Sequence, residues 1–212
     1  WAWRWLLAFK DVTSATNERT AIFSAIPRVA VGHTAPLVFS SQSPKRVAAL
    51  LANFDALTLD MCARSKVAGL HLTYAYLKQL PILPPSAYSE ADLAFVVPRV
   101  LELTYTSHSM APFARDLGYE GAPFEWDEDR RAELRAELDA WYAFAYGLTR
   151  DELRYALDPA DVMGADYPSE TFRVLKSNEK RRFDEYRTRR LVLTAYDALF
   201  AEGLRPRLEG YR

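Results

Sequence analysis

The run Pro81-Ile82-Leu83-Pro84-Pro85 constrains the chain more than any other stretch. Proline removes an amide donor and pushes the residue before it into extended geometry, so neither a helix nor a central strand runs through these residues. A boundary near residue 88 is therefore expected, and the charge changes at the same place. Residues 1–88 hold nine Lys and Arg against four Asp and Glu, a net +5, whereas residues 89–212 hold 18 against 24, a net -6. The formal total of -1 hides two surfaces suited to different partners.

A length of 212 residues allows one large domain or two small packed units. With 50% apolar and 26% charged residues, the composition excludes a disordered tail, a collagen-like repeat and a disulfide scaffold. Cys62 stands alone, so no internal disulfide forms and a reducing, cytoplasmic location is expected. There is neither a basic-then-apolar leader nor an apolar run of spanning length, so no membrane partner is expected. The opening Trp1-Ala2-Trp3-Arg4-Trp5-Leu6-Leu7 is no ordinary translation start and reads as a piece cut from a longer protein.

Before the boundary, residues 4–12 and 19–28 are rich in Trp, Phe, Ile and Val, and Pro36-Leu37-Val38-Phe39 follows the Gly32 turn region. These predict β-strands. Ser43-Pro44 then predicts a helix start, and Val47, Leu50, Leu51, Phe54, Leu57 and Met61 recur at helical spacing until Gly69. Lys45 and Arg46 in its first turn oppose the macrodipole, a conflict that a bound anion would relieve. After the boundary, Ser89-x-x-Asp92, Thr149-x-x-Glu152 and the acidic start Asp127-Glu128-Asp129 each open a helical pattern. Leu134, Leu138, Trp141 and Ala145 form one apolar stripe; Phe183, Leu191, Ala195 and Leu199 form a second in a last helix that stops at Gly203. The expected architecture is α+β: a small mixed β-sheet with a packed helix over residues 1–88, followed by an all-helical unit over residues 89–212.

Catalytic chemistry finds little footing. His33, His71 and His108 lie in unrelated contexts without partners at metal-ligand spacing. Ser107-His108-Ser109 has no nucleophile-elbow surroundings and reads as a polar helix end. The eight glycines make no phosphate-binding fingerprint. Cys62 lies within the apolar helical pattern, the usual setting of a small buried hydrophobe.

Recognition remains. Arg4, Lys10, Arg19, Arg28, Lys45, Arg46, Arg64, Lys66 and Lys78 are interleaved with Trp, Tyr, Asn and Gln, the side chains that clamp phosphates and hydrogen-bond base edges. A solvated basic face of an ordinary domain would look the same. Between Thr171 and Arg190 there are eight Lys and Arg against three acids, but Arg181, Arg182, Arg187, Arg189 and Arg190 point in spread directions around a helix. Packing against the acidic segment 116–139, with Arg181 also paired to Glu185, is the favoured reading over DNA.

Four stretches together resemble a known family. Asp11-Val12-Thr13-Ser14-Ala15-Thr16-Asn17-Glu18-Arg19-Thr20, then Ala25-Ile26-Pro27-Arg28 with Gly32, is similar to the start of the C-terminal target-recognition region of bacterial type IIG restriction-modification enzymes and related phage-defence adenine-specific DNA methyltransferases. Residues 63–73, leading through Leu77-Lys78-Gln79-Leu80 to the proline run, resemble the segment that closes such domains. Arg99-Val100-Leu101-Glu102-Leu103-Thr104-Tyr105, Glu137-Leu138-Asp139-Ala140 and residues 185–191 look like the family's helical extension. Ala68-Gly69 and Thr73 stand where the family commonly has Gly-Gly and Asn, so no role of that Asn carries over.

The resemblance implies sequence-specific double-stranded DNA as partner. It also implies methyl transfer from S-adenosylmethionine, often with cleavage, by other domains of a parent chain. The only Pro-Pro here, Leu83-Pro84-Pro85-Ser86, lacks the leading polar residue and the following aromatic that grip an extruded base. These residues are therefore expected to hold no catalytic group and no cofactor, and residues 89–212 to brace the recognition unit against the methyltransferase body. Arg19 and Arg28 are candidates for guanine edges or phosphates and Asn17 and Gln42 for adenine. Lys45, Arg46, Arg64, Lys66 and Lys78 are candidates for phosphates. Asn17 and Arg19 equally suit a turn and an ion pair with Glu18 or Asp11. The alternative function is a protein-interaction module in which the Trp1/Trp3/Trp5 cluster and acidic helices dock another domain or subunit.

Overall fold

A computed structural model describes residues 1–168, 170–204 and 206. The run Trp5-Leu6-Leu7-Ala8-Phe9 forms strand β1 (Trp5–Phe9), buried along its whole length. An uninterrupted apolar run suits a strand covered on both faces. It pairs with β2 (Phe23–Pro27) on one side and β3 (Leu37–Val38) on the other, with Trp5 opposite Pro27, Phe9 opposite Phe23 and Leu7 opposite Val38. Both pairings are antiparallel, not mixed as expected. A parallel neighbour needs a crossover connection, usually helical, and the segments joining these strands are turns and loops.

Both longer strands are shorter than their apolar runs. After Phe9 the chain hands its hydrogen bonds to loops: Asp11 N–H donates to Thr34 and Leu72 N–H donates to Asp11. Ahead of β2, the Thr20 and Ala21 amides both donate to Asp60 Oδ1, at 2.7 and 2.6 Å, so they are unavailable to a ladder.

The helix expected from Pro44 onward is two helices, α1 (Pro44–Asp55) and α2 (Leu57–Lys66). Ala56 between them is extended, with ψ 141°, and the Leu57 amide donates instead to the Asp139 carboxylate at 2.7 Å. A carboxylate from a distant helix thus takes the place of an i−4 carbonyl. Ser43 occupies the N-cap position and Pro44 the first turn as expected, although the Ser43 side chain makes no capping bond. A short helix α3 (Tyr74–Leu77) leads into the extended proline run.

Beyond residue 88 the described chain is helical: α4 (Glu90–Thr104), α5 (Ala111–Asp116), α6 (Glu128–Ala145), α7 (Arg150–Leu157), α8 (Pro159–Met163), α9 (Arg173–Phe183) and α10 (Arg187–Ala201). The sequence-based starts hold. Ser89 with Asp92 and Thr149 with Glu152 form reciprocal capping boxes, and Asp127 accepts from the Arg130 amide at 2.9 Å. The expected last helix is broken at Asp184, which has a left-handed φ of 60°, so Phe183 belongs to α9 and the apolar side of α10 is Val192, Tyr196 and Leu199. Gly203, at φ 68°, then ends α10 in the conformation that glycine adopts without strain.

One apolar cluster draws on both sides of residue 88, from Trp5, Leu7 and Phe9 through Phe54 and Leu59 to Val96, Phe113, Trp141 and Val192. Polar ties cross the same line: Tyr142 Oη donates to the Ala49 carbonyl at 2.7 Å, Tyr146 Oη to the Pro81 carbonyl at 2.6 Å, and Trp5 Nε1 to Asp116 at 2.8 Å. Asn53 accepts from the Leu83 amide and donates to Tyr146, which anchors the proline run. No helix among the described residues is long and apolar enough to cross a membrane.

Candidate nucleic-acid interface

The loop before β2 carries the first candidates, and its shape is set from beneath. Thr13 Oγ1 donates to the Thr20 carbonyl at 2.7 Å and the Asn17 amide to the Ser14 carbonyl at 3.1 Å, closing a compact turn. Arg64 on α2 holds it. Its guanidinium donates to the carbonyls of Ala15, Asn17 and Glu18 at 2.9, 2.9 and 2.5 Å and to Asp60 at 2.8 Å. With its side chain 8% exposed, Arg64 is a scaffold for the loop and offers little surface to a phosphate. Asp60 is fully buried and serves two amides and two arginines, so the loop and α2 are one unit.

Arg19 also turns partly inward. It donates to the Asp55 carbonyl and lies 3.8 Å from Asp60, so its acidic partner is Asp60 and not Glu18 or Asp11. A quarter of its side chain stays open. The structure brings Asn17 and Arg19 together with Lys10, Thr16 and Ile22 around an open hollow of about 410 Å³.

The remaining candidates are dispersed. Arg28 is exposed and lines a separate shallow hollow with Trp1, Leu6, Val29 and Phe39. Gln42 is half-buried in the loop before α1. Lys45 is exposed beside it, whereas Arg46 is half-buried and donates to the Pro85 carbonyl. Lys66 and Lys78 are exposed near the ends of α2 and α3. Among the described residues, Arg4, Lys10, Arg28, Lys45, Lys66 and Lys78 are all exposed and none makes an ion pair.

The late basic cluster behaves differently. Arg182 pairs with Glu128 at 2.6 Å, Arg187 with Asp129 at 2.8 Å, and Arg189 with Asp158 and Asp161. The favoured expectation, packing against the acidic segment, is met by Arg182 and Arg187; Arg189 pairs instead with acids beyond that segment, Glu185 pairs with Arg190, and Arg181 donates to Asn178. The tryptophans are also turned inward. Trp5 is 0% exposed and Trp3 stacks on it at 4.7 Å, so the cluster is largely structural.

A second concave region was not legible in the sequence. A cleft of about 510 Å³ lies between β2 and the helices α4 and α6. Its floor holds two carboxylates. Burial pushes Asp55 up to about 7, against the Phe23 amide and Arg19, and pushes Asp139 up to about 6, against Arg19 and the Leu57 amide. Its rim holds Arg131, Arg135 and the exposed indole of Trp126. The signals were present: an acid inside the apolar stripe Leu138-Asp139-Ala140-Trp141, and two arginines four residues apart.

The other chemical candidates stay apart. Among the described residues no group of three His, Cys, Asp or Glu is placed to hold a metal. His71 pairs with Asp11 at 2.9 Å, and Ser107 and Ser109 bond to each other in a short helical turn. Burial raises the half-buried Cys62 thiol, the opposite of what an activated thiolate requires. Comparison with protein-family models, with curated proteins and with solved structures finds no match.

Proposed function

We propose that this chain recognises double-stranded DNA, as the specificity portion of a restriction-modification adenine methyltransferase whose catalysis and S-adenosylmethionine binding lie in other domains. The observation that carries the reading is the set of exposed cations Arg4, Lys10, Arg28, Lys45, Lys66 and Lys78, unpaired among the described residues, in a chain that pairs many of its later arginines. Cations without protein counter-charges attract a polyanion, and their number sets the salt dependence of binding. Asn17, beside Lys10 and Arg19, supplies an amide suited to a base edge.

The test is titration with duplex DNA at two salt concentrations. Affinity should fall steeply as salt rises, and replacing Lys45, Lys66 and Lys78 by Gln should lower the slope by about 0.9 for each phosphate no longer neutralised, for all sequences alike. Binding indifferent to salt would sink the reading. Asn17→Ala should instead change which sequences are preferred. A protein-docking role is the second reading, favoured by the hollow at Trp1, Val29 and Phe39, where Phe39 is 60% exposed. Loss of a bound partner on Phe39→Ser, in a chain that does not bind DNA, would select it.

A further inference from the structure

The cleft beside β2 is lined by Arg19, Arg131 and Arg135, and in two of them a buried Nε has no hydrogen bond. Arg131 and Arg135 lie four residues apart on one face of α6, a spacing at which like charges repel. Arg131 donates to the Leu103 carbonyl at 2.9 Å and its guanidinium lies 3.8 Å from the Trp126 ring centroid, yet its buried Nε has no partner. Arg19, which lines the same cleft, also has a buried Nε without a hydrogen bond, 3.8 Å from Asp60 Oδ2. Among the described residues neither Arg131 nor Arg135 makes an ion pair, and Glu102, the acid that acts on Arg131, is held by both prongs of Arg130.

A buried donor without an acceptor is costly, and that cost falls on Arg131, whereas Arg135 is exposed on the rim and acts on Asp55 and Asp139 through its charge. The local acids offset the charge of Arg135 and Arg19 but give the Arg131 Nε no acceptor. Asp55 and Asp139 accept from the Phe23 and Leu57 amides, at 2.9 and 2.7 Å, on the floor of the cleft. Below the arginines the walls are apolar, from Phe23, Leu51, Val100 and Leu138. A volume of about 510 Å³ falls within the range of small-ligand sites.

We propose that this cleft binds a compact organic anion, its carboxylate or phosphate head held by Arg131 and Arg135 beside Trp126 and its apolar body lying against Val100 and Leu138. The cleft shares Arg19 with the hollow beside Asn17, but Arg131 and Arg135, which hold the ligand, are not among the cations assigned to DNA, so the site does not depend on that reading.

The experiment titrates the full chain with sodium octanoate, adenosine monophosphate, inorganic phosphate and, as a neutral counterpart, 1-octanol, reading thermal midpoint and tryptophan fluorescence. Octanoate or the nucleotide should bind saturably, raise the midpoint and perturb Trp126, a change abolished in Trp126→Phe. Which of the two binds tighter separates a carboxylate from a phosphate head. Arg135→Gln should weaken binding about tenfold or more, the loss expected for one charge-assisted contact, while Arg115→Gln, an exposed arginine on α5, should not. The proposal is overturned if none of the three anions binds saturably. It is also overturned if 1-octanol binds as well as octanoate, or if a folded Arg135→Gln protein binds unchanged. Saturation by inorganic phosphate with equal affinity would remove the apolar body from the assignment and overturn that half of it.

Discussion

At the scale of single residues, buried carboxylates organise this molecule. Asp60 collects the Thr20 and Ala21 amides and the Arg64 guanidinium at a site with no exposure at all. Removing one member of such a group leaves the others buried and unpaired, so Asp60→Ala should cost about 3 kcal/mol in urea unfolding. A loss below about 0.5 kcal/mol, the scale of ordinary surface changes, would show that water satisfies these groups equally well. Asp55 and Asp139 predict a pH dependence of defined sign. Both are raised from 3.8, to about 7 and about 6, so the folded chain holds their protons more tightly than the unfolded chain does. Their stabilising contribution is complete below the unfolded value and is lost as pH rises through 6 to 7. Asp139→Asn retains an acceptor for the Leu57 amide, so its stability should fall less than that of the parent chain between pH 5 and pH 8, compared by urea midpoints.

At the scale of elements, helix starts were legible and helix interruptions were not. The capping boxes at Ser89 and Thr149 form as their spacing predicts, because a cap is a contact within four residues of chain. Ser89→Ala should therefore destabilise by about 1 kcal/mol, measured by thermal unfolding. The break at Ala56 had no local sign, since the hydrophobic period runs on from Phe54 to Met61. Its cause is Asp139, 82 residues away, accepting the Leu57 amide. The break at Asp184 is likewise a left-handed residue in a stretch whose apolar spacing continues across it. The sheet came out narrower than its apolar runs for a related reason: side chains on α1 and α2, Asp55 and Asp60, claim amides at and before the start of β2.

At the scale of the whole molecule, the contrast in charge and texture at residue 88 does not divide the core. Trp5 bonds to Asp116, Tyr142 to Ala49, and one apolar cluster spans both segments. Unfolding in urea should therefore be a single transition, with far-ultraviolet circular dichroism and tryptophan fluorescence coincident. Two separated transitions would make residue 88 a folding boundary after all. The opposite charges of the two segments have unequal fates. Later arginines are consumed by acids on α6 and neighbouring helices, while several earlier cations are exposed and make no ion pair among the described residues.

What the sequence determined by itself was local: strand-forming and helix-forming stretches, the caps, the proline break and the segregation of charge. Each follows from a residue's own backbone preference or from neighbours within one turn. What only the tertiary structure decided was which charges remain available. Arg64 and Lys66 are two residues apart and look equivalent in a sequence, but one fastens a loop through three hydrogen bonds to its carbonyls while the other faces water. The cleft with Arg131, Arg135, Asp55 and Asp139 is likewise assembled from distant segments. The reason is physical. Burial and counter-charge are properties of the space around a group, and that space is built by chain from elsewhere in the sequence.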